Sequence, residues 1–167
     1  MISRAFMSTI VLGLGNPVWG DDSAGPRVAG TLRDRLPQME VTVAEASIAG
    51  LDILELLADY DKAIIIDVIE TKNGTPGTIY RLEMDDIAAN YTACPHEVDF
   101  ITALELGRKL GLSLPASVTI FAIEAGQTAF PQEECTPPVR AAIPLCTDMI
   151  IRELQTKTGQ ATPAVSS

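Results

Sequence analysis

The sequence predicts a three-layer α/β/α sandwich with about five mostly parallel strands and helices on both faces. Three observations predict it. Short apolar runs of β type alternate with segments of helical periodicity along most of the chain. The run Ala63-Ile64-Ile65-Ile66 is unbroken and rich in β-branched residues, as a parallel strand covered on both faces requires. The first apolar run, Ile10-Val11-Leu12, breaks at Gly13 and Gly15 before a helical segment. A strand that ends in glycines delivers the next residues to the carboxyl edge of a sheet, where open α/β folds bind their ligands.

In chain order, the first strand is expected over residues 9–14. A helix over 21–36 carries Val28, Leu32 and Leu36 at helical spacing, holds Pro26 in its first turn and stops before Pro37. A second strand is expected over 41–46. A helix over 51–60 has Leu51, Leu54, Leu57 and Ala58 on one face. The central strand covers 63–68. Turn signals at Asn73-Gly74 and Pro76-Gly77 lead to an alternating segment, 78–82, that suits an antiparallel edge strand. Residues 84–95 read as a loop with a short helical turn. An amphipathic helix over 98–110 is capped by Gly111. A buried strand covers 118–123, and a second long loop 126–135. Thr136-Pro137 opens the last helix, which is expected to reach about residue 154 and to kink or break near Pro144. Residues 1–154 then form a single domain. The small, polar segment 155–167 is expected to be disordered.

The bulk properties narrow the function. A chain of 167 residues can bury one sizeable core. Its net charge of -10 argues against nucleic acid and against an anionic membrane surface as partners. Three widely spaced cysteines with no C-x-x-C suit a reducing cytoplasm, not a disulfide scaffold or a zinc finger. Residues 1–7 hold one arginine and no apolar stretch, so no signal peptide is expected, and no apolar run is long enough to cross a bilayer.

The residues that carry chemistry gather at expected sheet edges. Asp21 and Asp22 come after the glycine loop. Either could cap the next helix, but a cap needs only one of them, which leaves the other for a different task. Asp67 closes the most apolar strand, where an unpartnered carboxylate would be costly. His96, the chain's single histidine, lies between Pro95 and Glu97 in a loop. Alone it is a weak signal, and His96-Glu97 lacks the second histidine of a zincin. Two carboxylates and an imidazole together form a set that suits nickel or zinc. Glu45, at the end of the second strand, either lines the same edge or serves as a helix N-terminal acid. Other templates fail. Val18 stands where a dinucleotide fingerprint needs its third glycine, and there is neither a Walker lysine nor a G-x-S-x-G elbow. Cys94 and His96 are too close in sequence for a nucleophile–base pair.

The stretch VLGLGNPVWGDDSAG, with IIIDV and CPHEVDF further along, resembles the hydrogenase maturation endopeptidases, from Ile10 to about Leu154. These enzymes trim the C-terminal extension from the large subunit of [NiFe]-hydrogenases. By that resemblance Asp22, Asp67 and His96 match the family's metal-recognising acids and histidine, and carry the catalytic site. The metal would be nickel already installed in the precursor, with zinc or cadmium able to substitute, and no organic cofactor is implied. The implied partner is the large-subunit precursor, and the protein is expected to be a cytoplasmic monomer. The family's D-G-G-T-x-G appears here as Glu45-Ala46-Ser47-Ile48-Ala49-Gly50, and Ser23 replaces a common glycine. Two further readings stand beside this one. The chain could check nickel in the precursor without cutting it. Peptidyl-tRNA hydrolases also open with a strand and GLGNP, but the histidine-bearing segment they carry next is absent here, and the charge is wrong for tRNA.

Overall fold

Among the described residues, ten elements succeed one another in the computed structural model. They are β1 (Thr9–Leu14), a 3-10 turn (Gly20–Ser23), α1 (Ala24–Arg35), β2 (Val41–Ala46), α2 (Leu51–Leu57), β3 (Lys62–Ile69), β4 (Ile79–Glu83), α3 (Pro95–Lys109), β5 (Ser117–Glu124) and α4 (Pro137–Thr158). The structure describes residues 7–37, 39–47, 51–84, 95–126 and 132–158, and backbone alone at 51, 95–99 and 101. The strands form one sheet in the order β2-β1-β3-β5-β4. The first four in that order are parallel, and β4 runs antiparallel to β5. The expected fold class, strand count and antiparallel edge are therefore present.

Period-two alternation sorts each central strand between two cores. On one face Ile10, Leu12, Ala63, Ile65 and Ile120 pack with Ile53, Leu54 and Leu57 of α2 and with Phe100, Ala103 and Leu104 of α3. On the other, Val11, Ile64, Ile66, Phe121 and Ile123 pack with Val28 and Leu32 of α1 and with Val139, Ala142, Cys146, Ile150 and Leu154 of α4. Residues 63–66 are all fully buried because both faces of β3 are covered.

The helix boundaries differ from the sequence reading in physically informative ways. The helix expected from residue 21 starts at Ala24, and both acids lie before it in the 3-10 turn. Gly25 explains the start. A Cβ there would strike the carbonyl oxygen of Leu14 and lie 2.8 Å from that of Ile66. The first turn of α1 thus rests directly on the carboxyl ends of β1 and β3. Helix α2 ends at Leu57, and Asp59 then takes a left-handed backbone conformation (φ 67°) while donating its N–H to Ser113. Helix α3 begins at Pro95, earlier than expected, because proline fits a first helical position. Gly111 ends it in a Schellman motif: the Leu112 N–H reaches the Gly107 carbonyl at 3.0 Å and the Gly111 N–H reaches that of Arg108 at 3.1 Å.

Helix α4 corrects two expectations. It is one helix through Pro144, without the predicted break. Pro144 and Arg140 lie on the exposed side, so the lost backbone bond faces water, while Ala142, Cys146 and Ile150 continue the buried stripe across the proline. The helix also passes Leu154 and ends at Thr158, so the start of the polar segment expected to be disordered is helical. Residues 159–167 and the loop expectations over 85–94 and 127–131 lie outside the described residues. Edge strand β4 is tied to α4 by Arg81, which meets Glu153 through Nε at 3.1 Å and through a terminal nitrogen at 2.9 Å. The same guanidinium is 2.7 Å from Glu83.

Gly25→Ala is expected to lose about 3 kcal/mol, because backbone and not a side-chain tip must give way. Urea denaturation measures it. Arg81→Ala is expected to cost only about 1 kcal/mol in the same assay, since the guanidinium is partly solvated.

Candidate active site

The loop after β1 is built by local backbone chemistry. Gly15 adopts φ 134°, which favours glycine, and its N–H reaches the carbonyl of Ala46 at 3.0 Å. Asn16 then folds an Asx turn over Pro17. Its side-chain oxygen accepts from Val18 N–H at 3.1 Å and its carbonyl accepts from Trp19 N–H at 3.2 Å. This reversal returns the chain to the sheet edge at Gly20–Ser23.

The two adjacent acids separate into different environments. Asp21 is half-buried and fully engaged. Its carboxylate accepts from Gly126 N–H at 2.8 Å, from Thr136 N–H at 2.6 Å and from the Thr136 hydroxyl at 3.0 Å. It therefore sits beside Thr136, the residue that precedes α4, and not at the N-terminus of α1, and the positive end of the α4 dipole favours its negative charge. Asp22 is exposed and, among the described residues, accepts one bond, from Asn16 N–H at 2.9 Å. The expectation that one of the two acids caps α1 is not met: Ser23 is its N-cap residue, without a side-chain cap bond, and Asp21 bonds instead to the junction between β5 and α4.

Asp67 lies on β3, neighbour of β1, one residue past the Ile66 that pairs with Gly13. Alternation places it on the side of Ile65 and Ile69, the side covered by α2 and α3. It is half-buried, and its carboxylate accepts from Val68 N–H at 2.7 Å. Asp22 thus lies past the carboxyl end of β1, and Asp67 near the carboxyl end of the adjacent β3. His96 is the second residue of α3, and its side chain lies outside the described residues, as does Cys94. Among the described residues, no three metal-ligating side chains form a cluster. Glu45 has an outward partner instead of a helix end, with Arg33 of α1 at 3.0 Å.

Three features at this edge escaped sequence reasoning. Ser23 is buried and donates to the Gly20 carbonyl at 2.6 Å, while its oxygen accepts from Arg27 Nε at 2.9 Å and lies 3.3 Å from Cys135 Sγ. Glu124, at the end of β5, is buried against Gly74 and accepts from Thr71 N–H at 2.7 Å and from its hydroxyl at 3.1 Å. A groove of about 730 Å³ runs between the two loops, lined by Pro17, Val18, Trp19, Arg27, Gln132, Glu133 and Glu134. Val18 and Trp19 are both exposed there. An apolar Val18-Trp19 pair between a glycine loop and two acids was the available signal.

An open α/β sheet with carboxylates of two adjacent strands at its carboxyl edge defines a class of proteins that work at that edge. The comparisons with known proteins are more specific. A family model for hydrogenase maturation proteases matches residues 26–153, and the chain belongs to that family. It is similar to the hydrogenase 2 maturation protease of Escherichia coli strain K12, with 29% identity over 161 residues that cover 94% of this chain and 96% of the relative. It is also similar to the coenzyme F420 hydrogenase subunit delta of Methanothermobacter thermautotrophicus, with 29% identity over 154 residues covering 87% of this chain and 93% of the relative. The solved structure of the hydrogenase maturating endopeptidase HybD from Escherichia coli matches with a TM-score of 0.76 and 27% identity over 92% of this chain and 94% of that one. A maturation protease from Thermococcus kodakarensis, 20% identical with a TM-score of 0.67 over 88% of this chain and 99% of that one, shows the same fold.

Cys146 is not available for chemistry in the folded protein. Burial pushes its thiol up to about 12. Iodoacetamide at pH 8 is expected to leave it unlabelled until the protein is unfolded, as peptide mass mapping would show. The stability that the neutral thiol contributes is present below the ordinary thiol range and is lost as pH rises towards about 12. Cys146→Ala should therefore make the alkaline decline in stability shallower.

Proposed function

We propose that this protein is an endopeptidase that removes the C-terminal extension of a [NiFe]-hydrogenase large-subunit precursor once nickel has been inserted. Family membership supports the maturation-protease activity, and the names of the relatives support the substrate. The observation that carries the site assignment is the division of labour between two neighbouring acids. Among the described residues, Asp21 is engaged by the scaffold through three hydrogen bonds, whereas Asp22 is exposed past the carboxyl end of β1 with a single one.

Asp22, Asp67 and His96 are the residues that would recognise the nickel. Two carboxylates and an imidazole suit this ion, and the absence of a thiolate from the set favours release after each turnover. The nickel arrives as part of the substrate, so its presence reports that insertion is complete. Held against the protein, it supplies Lewis acidity at the cleavage segment, and a carboxylate of the edge assists as base. Zinc or cadmium could occupy the same donor set. The acidic surface suits a protein partner over nucleic acid. Among the described residues no helix is long and apolar enough to cross a membrane.

The test incubates the protein with nickel-loaded and nickel-free precursor and weighs the products by mass spectrometry. Loss of a short C-terminal peptide from the nickel-loaded form alone is expected. Complex formation without cleavage would assign a nickel-checking role, and a lack of both cleavage and binding would remove the precursor as partner. Asp22→Ala, Asp67→Ala and His96→Ala are each expected to slow processing at least about 100-fold. Their circular dichroism should stay native, and normal processing by all three would sink the site assignment.

A further inference from the structure

The turn that carries Asp22 is fastened to a distant part of the chain by its neighbour. The three bonds accepted by Asp21 come from Gly126 and Thr136, which bracket the whole connection between β5 and α4. Other contacts reinforce the same junction. A Cβ on Gly20 would lie 2.9 Å from the Gln132 carbonyl oxygen, and Cys135 Sγ lies 3.3 Å from the Gly20 carbonyl. The turn and this connection also supply the two walls of the groove, with Val18 and Trp19 on one side and Gln132 and Glu133 on the other. One carboxylate thereby bridges the turn that carries Asp22 and the connection that forms the facing wall of the groove.

We propose that Asp21 is a positioning residue that locks the Asp22 turn to both ends of the β5–α4 connection and so holds the precursor-binding surface in register. Both of its oxygens already accept from scaffold donors, so in this proposal it takes no part in the reaction itself. Its loss should weaken capture of the precursor more than turnover. The kinetic consequence rests on the proposed function, whereas the structural one does not.

The variants are Asp21→Asn, Thr136→Val and Thr136→Ser. Asp21→Asn turns one acceptor position into a donor that faces another donor. Thr136→Val removes only the hydroxyl bond, and Thr136→Ser keeps all three. Trp19 is the single tryptophan, so acrylamide quenching of its fluorescence reports groove geometry directly. Asp21→Asn is expected to raise the KM for nickel-loaded precursor about tenfold, with kcat within about threefold, and to increase Trp19 quenching. Thr136→Val should show a smaller change in the same direction, and Thr136→Ser should match the wild type. Unchanged quenching in a folded Asp21→Asn would overturn the proposal. So would a loss of kcat at constant KM, which would put Asp21 in the reaction. If Asp21→Asn does not fold, the threonine pair decides: equal quenching and KM for valine and serine would overturn it. If the wild type fails to process the precursor, the proposed function falls, and the quenching comparison still decides the tether.

Discussion

Much of this structure depends on one close backbone approach. At Gly25 the first turn of α1 lies on the carbonyl ends of Leu14 and Ile66, with no room for a side chain. Gly13 continues the contact, since a Cβ there would meet the Gly25 carbonyl at 2.5 Å and the Ala29 Cβ at 2.8 Å. Helix and sheet can approach this closely only where both lack side chains. The consequence reaches the candidate site. Because α1 must start at this point, the residues between Gly15 and Ala24 have a fixed span to cross, and they do so through the Asn16 turn and the 3-10 turn. Asp22 stands where that geometry puts it.

The same economy explains why the two acids differ. Adjacent residues in a tight turn point in different directions. Asp21 meets the N–H of Gly126 and the N–H and hydroxyl of Thr136, just before α4, where a carboxylate is stabilised by those hydrogen bonds and by the helix dipole. Asp22 finds one backbone donor and solvent. A chain with a single acid would have to choose between scaffold and site. Here the scaffold role is satisfied first, and the second acid remains exposed past the carboxyl end of β1.

Periodicity made most of the fold legible. The unbroken apolar run at Ala63–Ile66 announced a central strand because both of its faces had to be covered, and the alternation around Arg81 announced an edge. The helix boundaries were less legible because tertiary contacts set them. The acids at Asp21 and Asp22 looked like the start of α1, but Gly25 packing moved that start to Ala24. Pro144 looked like a break, yet the buried stripe from Ala142 to Ile150 carries α4 past it on the solvent side. The candidate site was legible as residue types at strand ends. Which acid was committed to the scaffold was not, because Gly126 and Thr136 lie more than a hundred residues away in sequence.

The sequence by itself determined the layers and the strand directions, because hydrophobic period and glycine placement are local properties. Only the tertiary structure decided which of two neighbouring carboxylates is bonded and which is exposed. It alone also joined the Asp22 turn to the β5–α4 connection and formed the groove beside Trp19. These are contacts between segments far apart in the chain, and no local pattern encodes which donor a carboxylate will meet.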